Sequence, residues 1–412
     1  MTELDHHRPD PPALRVLLIS PVPGIDPQSG DVTYTRQLLD APPPGVVYTT
    51  YDQAIADGNL VELGTRHAIR ASRRGDRWWQ LLIGAARKCE NLLRRSGLAY
   101  REQIRVFKVK PGSFDLIHVH VFHHRFIGAH PPVVASAGGP LRWVYTDAWG
   151  WGVVRVAVAE LIDRTLGWLW DATMCGARLG RADLFIGPSD YLREWLQQRG
   201  WPGGRIAVQP NYLAVQRTPP LRAALSPRTL GFVARDFDAK GGAEVLAAFA
   251  DLSQRYPSLR LHIVGSPQRT VSPEITSRVK WTPEVPREEL LNTILPAIDL
   301  LIYPSRCDTG VPYSSMEALA QGIPAVVSDY RSLPDLVGAD AGLVCRAGDA
   351  NSVVSAVKAL LEPQTYGAAS AAATTRFSKR FSAVSQAPRL RSLYDRTVRF
   401  AIRPPATHIS LS

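Results

Sequence analysis

The chain has 412 residues, 45% hydrophobic and 21% charged, with a net charge of +11. This is the composition of a globular protein of two or three domains and excludes disordered and collagen-like classes. No run approaches the ~20 apolar residues of a membrane-spanning helix, and the opening MTELDHHRPDPPALR is polar and proline-rich, unlike a secretory leader.

In chain order, residues 1–13 read as a polar tail and LRVLLIS (14–20) as a buried parallel strand stopped by Pro21, Pro23 and Gly24. Gly30-Asp31 then opens a short helix with Leu38 and Leu39 on its buried face, the first half of a Rossmann unit. Residues 60–110 alternate basic and apolar residues around Trp78-Trp79 and predict amphipathic helices. Between Arg66 and Lys110 thirteen basic residues stand against three acids, a balance close to the whole net charge. Strands are expected in DLIHVHV (115–121), RWVYT (142–146), DLFIGPS (183–189) and RIAVQPN (205–211), with helices over 153–178 and 191–200. Residues 213–228 carry three prolines and read as a linker. A second alternating series follows. TLGFVA (229–234), RLHIVG (260–265), DLLIYPS (299–305) and PAVVSD (324–329) are its strands; 242–255 and the segment around Met316–Gln321 are its helices. The stretch 378–400 reads as a basic helix broken at Pro388. Two Rossmann-like halves with a cleft between them are therefore expected, at 14–212 and 229–377, with ligands at the carboxyl ends of the strands.

Two stretches carry the chemistry. In GFVARDFDAKGG (231–242) a strand delivers Arg235 at its end, and Lys240 precedes Gly241-Gly242 and a helix. Two cations beside a helix N-terminus can hold a diphosphate without a metal; a solvated basic turn is the bland alternative. In PSRCDTGVPYSSMEALAQGIPAVVSD (304–329), Gly310 and the following Val311-Pro312 can turn backbone amides toward phosphate, and Glu317 can accept from the vicinal hydroxyls of a ribose.

Together these stretches resemble the C-terminal domain of glycosyltransferase family 4, a GT-B family of mostly retaining enzymes. The resemblance implies that Arg235 and Lys240 hold the donor diphosphate and that Glu317 binds the nucleotide ribose. It extends to PEVPREELLNTILPAIDLLIYPS (283–305) and to Asn211 of VQPN, covers nearly the whole chain, and is weakest over 45–110. The family's motif has two glutamates with seven residues between them. The first, which contacts the transferred sugar, falls here on Thr309, with Asp308 one residue early; either takes over the contact. Ser29-Gly30 stands where the family has paired glycines, and Gly30 permits close backbone approach. His120 resembles a histidine common at that strand end. Asp147, in VYTDAWGWG, is the nearest ionisable group to the family's next catalytic-region histidine, and suits either a substrate contact or a helix cap.

The resemblance implies an α/β protein of GT-B architecture, two Rossmann-like domains with parallel sheets facing a central cleft, the 378–400 helix packing back on the first domain. The implied activity is transfer of a hexose from a donor such as UDP- or GDP-hexose to an unknown acceptor hydroxyl, with no separate cofactor and no metal. His118, His120, His123 and His124 lack a nearby carboxylate or thiolate that would complete a zinc set. Cys89, Cys175, Cys307 and Cys345 are scattered and read as free thiols of a reducing compartment. The expected location is cytoplasmic, with residues 66–110 against an anionic membrane surface; nucleic acid is not a partner. Two rivals remain: a non-catalytic partner subunit, for which Thr309 speaks, and a sugar-nucleotide epimerase or hydrolase on the same fold.

Overall fold

The computed structural model describes residues 13–20, 30–63, 92, 105–121, 124–148, 150–170, 182–214 and 227–402. Residues 1–12 of the polar tail, Ser29, most of the basic stretch with Trp78-Trp79, His123, Trp149, residues 171–178 of the expected 153–178 helix and linker residues 215–226 lie outside them.

The first half runs β1 (Leu14–Ile19), α1 (Gly30–Asp40), β2 (Val46–Thr50), α2 (Tyr51–Ala56), β3 (Leu60–Leu63), β4 (Arg105–Val109), β5 (Leu116–His120), β6 (His124–Phe126) and β7 (Val133–Ser136). It continues through α3 (Val153–Trp170), β8 (Leu184–Gly187), α4 (Asp190–Gln197) and β9 (Ile206–Val208). Six of its strands form a parallel sheet ordered β2-β1-β5-β7-β8-β9. Alternate residues feed opposite faces. Val16, Leu18, Leu116 and Val134 enter one core, and Leu17, Ile19, Ile117 and Val119 the other. Burial on both faces explains the nearly unbroken apolar run of β1.

The second half runs β10 (Thr229–Val233), α5 (Gly242–Arg255), β11 (Arg260–Val264), β12 (Val279–Thr282), β13 (Leu300–Tyr303), α6 (Tyr313–Ala320), β14 (Ala325–Ser328), β15 (Gly342–Cys345) and α7 (Ala350–Leu361). Its parallel sheet has the order β12-β11-β10-β13-β14-β15, the doubly wound pattern whose direction switches between β10 and β13. In the first sheet the switch lies between β1 and β5. The last described elements are α8 (Pro363–Arg380) and α9 (Ala383–Ile402). Leu390 and Tyr394 of α9 are fully buried in the first domain's core, and the Arg391 guanidinium donates to the carbonyls of Pro44 and Gly45.

Four expectations need correction. RWVYT is not a strand: residues 141–148 form a helical turn followed by a wider π-type turn, and the strand is the preceding VVAS of β7. Aromatic and β-branched residues favour strands only where a sheet position receives them, and the chain has already left the sheet through Gly138, Gly139 and Pro140. The ends of the 60–110 stretch are β3 and β4, antiparallel partners, not helices. Leu39 is 40% exposed, so α1 buries Tyr34, Gln37 and Leu38 instead. Finally, α9 runs through Pro388, and the break lies at Phe381-Ser382. Pro388 forfeits one bond, to the carbonyl of Val384, a residue that is itself exposed.

Candidate functional site

The carboxyl ends of both sheets face a cleft of about 630 Å³, lined from both domains. Its C-terminal wall is built by the two loops at the switch point. After β10 the chain passes Arg235, turns over Asp236, whose carboxylate accepts from the Ala239 N–H at 3.0 Å, and reaches Lys240. Gly241 follows at φ +83°, the N-cap of α5. A Cβ there would lie 2.5 Å from the carbonyl oxygen of Pro304, so only glycine lets this loop rest on the one after β13. The Arg306 N–H donates to the Ala239 carbonyl at 3.1 Å across the same seam. Both loops and the N-terminus of α5 are thus fixed together.

Each cation of this wall stands beside a carboxylate. Lys240 Nζ donates to Asp308 Oδ1 at 2.8 Å, and Arg287 Nε to Glu317 Oε1 at 2.7 Å. Arg235 Nε lies 3.9 Å from Glu284 Oε1, with its side chain 45% exposed. Burial would lower the Lys240 pKa, but the neighbouring Tyr303 and Asp308 outweigh it and hold the ammonium charged. Burial pushes the Glu317 carboxyl up, opposed by Arg287. Asp308 Oδ2 is buried and has no hydrogen-bond partner among the described residues.

The opposite wall comes from Gly30 and Asp31 at the start of α1, His120 at the end of β5, and Ser136 and Gly138 at and beyond the end of β7. Tyr34 stacks on the His120 ring at 4.1 Å. His120 Nδ1 is hydrogen-bonded to Ser136 Oγ at 2.8 Å, and Nε2 lies 3.3 Å from Asp31 Oδ1. The loop after β13 reaches across. A Cβ on Gly138 would stand 2.8 Å from Thr309 Oγ1, and one on Gly310 3.2 Å from Pro188. Thr309 therefore packs against the first domain's glycines.

The structure brings Gly30, His120, Arg235, Lys240, Asp308, Thr309, Gly310, Val311, Pro312 and Glu317 onto this one cleft. Asp147 is not in its lining. It forms an ion pair with Arg331 Nη1 at 2.7 Å, each side chain 10% exposed, and the Arg331 guanidinium lies over the Trp143 ring at 4.0 Å. Asp147 thus ties the two domains beside the cleft. Trp151 stacks on Tyr145 and lies beneath Arg155, so its faces are already occupied. Sequence reasoning missed Asp31, Tyr34, Ser136 and Arg287. Only Arg287 left a signal, a cation one residue after Pro286 at the start of a helical turn.

Residues 227–363 match the family model described as glycosyl transferases group 1. Two curated relatives share parts of the sequence. The Escherichia coli (strain K12) protein WcaL, named as a colanic acid biosynthesis glycosyltransferase, is 28% identical over 200 residues, 45% of this chain and 49% of that protein. The lipopolysaccharide core biosynthesis mannosyltransferase LpsB of Rhizobium meliloti (strain 1021) is 31% identical over 107 residues, 25% of this chain and 30% of that protein. The chain thus spans about half the length of the first and less than a third of the second. Among solved structures, sucrose-phosphate synthase from Thermosynechococcus elongatus superposes with a TM-score of 0.58 at 19% identity, over 95% of this chain and 100% of that one. Anabaena Alr3699/HepE, in complex with UDP and glucose, gives 0.57 at 14% identity over 93% and 100%. The architecture is GT-B: two parallel-sheet domains that face a central cleft.

Proposed function

We propose that this chain transfers a hexose from a nucleoside-diphosphate sugar, such as UDP- or GDP-hexose, to an acceptor hydroxyl with retention. It acts in this reading as a family 4 enzyme of cell-envelope glycolipid or polysaccharide synthesis. The observation that carries the reading is the convergence of Arg235, Lys240 and Glu317 on one cleft at the β10–β13 switch point. The group 1 match over 227–363 and the cell-envelope roles in the two relatives' names support it.

The nucleotide lies against the C-terminal wall, with Glu317 on the ribose and Arg235 and Lys240 on the diphosphate. The acceptor lies against the His120 wall. As the bond from the anomeric carbon to the phosphate oxygen breaks, negative charge grows on the leaving diphosphate. Both cations meet it, and closure of the cleft around the substrates excludes water, so such contacts strengthen toward the transition state. The acceptor oxygen bonds to the anomeric carbon, and its proton passes to the leaving phosphate. The basic residues of 66–110 that lie before β4 meet an anionic membrane surface in this reading, whereas Arg105 is paired with Glu62.

An Arg235→Ala variant tests the assignment, because this side chain is half exposed and its loss leaves the core intact. Turnover falls by about two orders of magnitude or more while the melting temperature stays near the parent's. Near-normal turnover would refute the assignment. Incubation with donor alone separates the epimerase or hydrolase rival, which would release altered or free sugar without acceptor.

A further inference from the structure

A buried polar chain leads from the last helix to the cleft, and the transfer described above leaves it unexplained. The hydroxyls of Tyr48 and Tyr394 are 2.9 Å apart, and Tyr394 Oη lies 2.6 Å from His118 Nδ1. His118 Nε2 and His120 Nδ1 are each 2.8 Å from Ser136 Oγ. His120, only 4% exposed, lines the cleft, and among the described residues its Nε2 has no hydrogen-bond partner, with Asp31 Oδ1 at 3.3 Å. β5 places both histidines on one face, β7 adds the serine, and α9 brings Tyr394 from the far end of the sequence.

Proton counting gives this chain a direction. A hydroxyl has one proton to donate, and a neutral imidazole has one donor and one acceptor nitrogen. His118 is neutral, because burial and the nearby His120 push its pKa down to about 3. His120 Nε2 faces a carboxylate oxygen, which attracts an N–H and repels a lone pair. With the proton on Nε2, His120 Nδ1 accepts from the Ser136 hydroxyl. Ser136 Oγ then accepts from His118 Nε2–H, His118 Nδ1 accepts from the Tyr394 hydroxyl, and Tyr394 accepts from Tyr48.

We propose that Tyr394, acting through His118 and Ser136, is a positioning residue that, together with the Asp31 carboxylate on the other side of the ring, holds His120 in its Nε2–H tautomer, so that His120 serves the cleft as a hydrogen-bond donor and not as a base. The buried, unpaired Nε2–H is the group left for substrate, since leaving such a donor unmade is costly. The partner that fits is a sugar or acceptor hydroxyl. It can accept from His120 and donate to Asp31 at once, whereas a phosphate oxygen would face the Asp31 charge. This inference rests on the cleft being the transfer site, but its first test does not need turnover.

Nitrogen NMR of the histidine rings in the full, ligand-free chain reads the tautomers. Wild type shows His118 and His120 each protonated at Nε2 and bare at Nδ1. Tyr394→Phe turns His118 into a tautomer mixture, moves the His120 Nδ1 signal, and lowers kcat by about tenfold with donor KM within about twofold. Tyr48→Phe, which removes only the donor upstream of Tyr394, leaves both tautomers as they are. If Tyr394→Phe misfolds, Ser136→Ala cuts the chain next to His120 and loosens its tautomer alone. A wild-type His120 protonated at Nδ1, or tautomers and kcat unchanged in Tyr394→Phe, would overturn the proposal. A wild type that transfers nothing would count against the transfer reading, while the ring signals still decide the tautomer.

Discussion

Lys240 meets Asp308 at 2.8 Å, so any diphosphate must compete with a carboxylate for that ammonium. Asp308→Asn removes the competitor, and calorimetry should find nucleoside diphosphates bound about five- to tenfold more tightly; unchanged or weaker binding would place Asp308 on the ligand instead. Lys240→Ala does the reverse and strands a buried carboxylate, costing about 3 kcal/mol of stability in urea unfolding. His118 makes a separate claim. Its folded pKa is depressed, so above pH 6.5 folded and unfolded chains carry the same proton count there. As pH falls from 6.5 toward 3 the unfolded chain takes up a proton that the folded chain refuses. Stability is lost by up to ~1.4 kcal/mol per pH unit through that window. Urea unfolding of a His118→Asn variant between pH 7 and 5 should lack that component. That Arg235 and Lys240 line the cleft was legible because they lie next to a strand end and a glycine pair, whereas Glu317, the fifth residue of α6, was pointed to by the family resemblance. The approach of Asp31 to His120 and the pairing of Arg287 with Glu317 were not legible, because these residues are distant in the chain and only the fold joins them.

The elements that shape the site depend on glycines at conformations other residues resist. Gly241 caps α5 at φ +83° with the Pro304 carbonyl where its side chain would be. Gly241→Ala should cost about 1–3 kcal/mol and separate the two loops at the switch point. A lowered melting temperature together with weaker nucleotide binding is the expected pair of results; full binding with a normal melting temperature would remove this seam from the site. The strands flanking the site, β10 and β13, were readable as short apolar runs ending in glycine, proline or charge. RWVYT misled because its composition is that of a strand, while its place after Gly138-Gly139-Pro140 is that of a turn. The Pro388 expectation failed for a similar reason. A proline in a helix costs a bond, yet burial of Leu390 and Tyr394 in the first domain outweighs one lost at the exposed residue Val384.

At the scale of the whole molecule, α9 is packed into the first domain, and Leu213 exchanges backbone bonds with Phe381 and Ala383 where the chain returns. Asp147 and Arg331 close the domains on each other beside the cleft, with the guanidinium held over Trp143. In Asp147→Asn, Arg331→Gln and the double variant, a cycle on stability should give a coupling of about 1–3 kcal/mol; a coupling near zero would deny the pair a role in holding the two domains together. The two-domain architecture itself was readable from alternating strand and helix patterns, since buried parallel strands announce themselves by composition. How the domains meet was not, because contacts such as Thr309 on Gly138 depend on shape, which no local pattern encodes.

The most direct test of the proposed donor site is calorimetric titration of the wild-type chain with UDP, GDP and ADP, each beside its nucleoside. If Arg235 and Lys240 grip a diphosphate, at least one nucleotide binds about 100-fold or more tightly than its nucleoside, and that margin collapses in Arg235→Ala. Equal affinity for nucleotide and nucleoside, or no diphosphate binding at millimolar concentration, would contradict it.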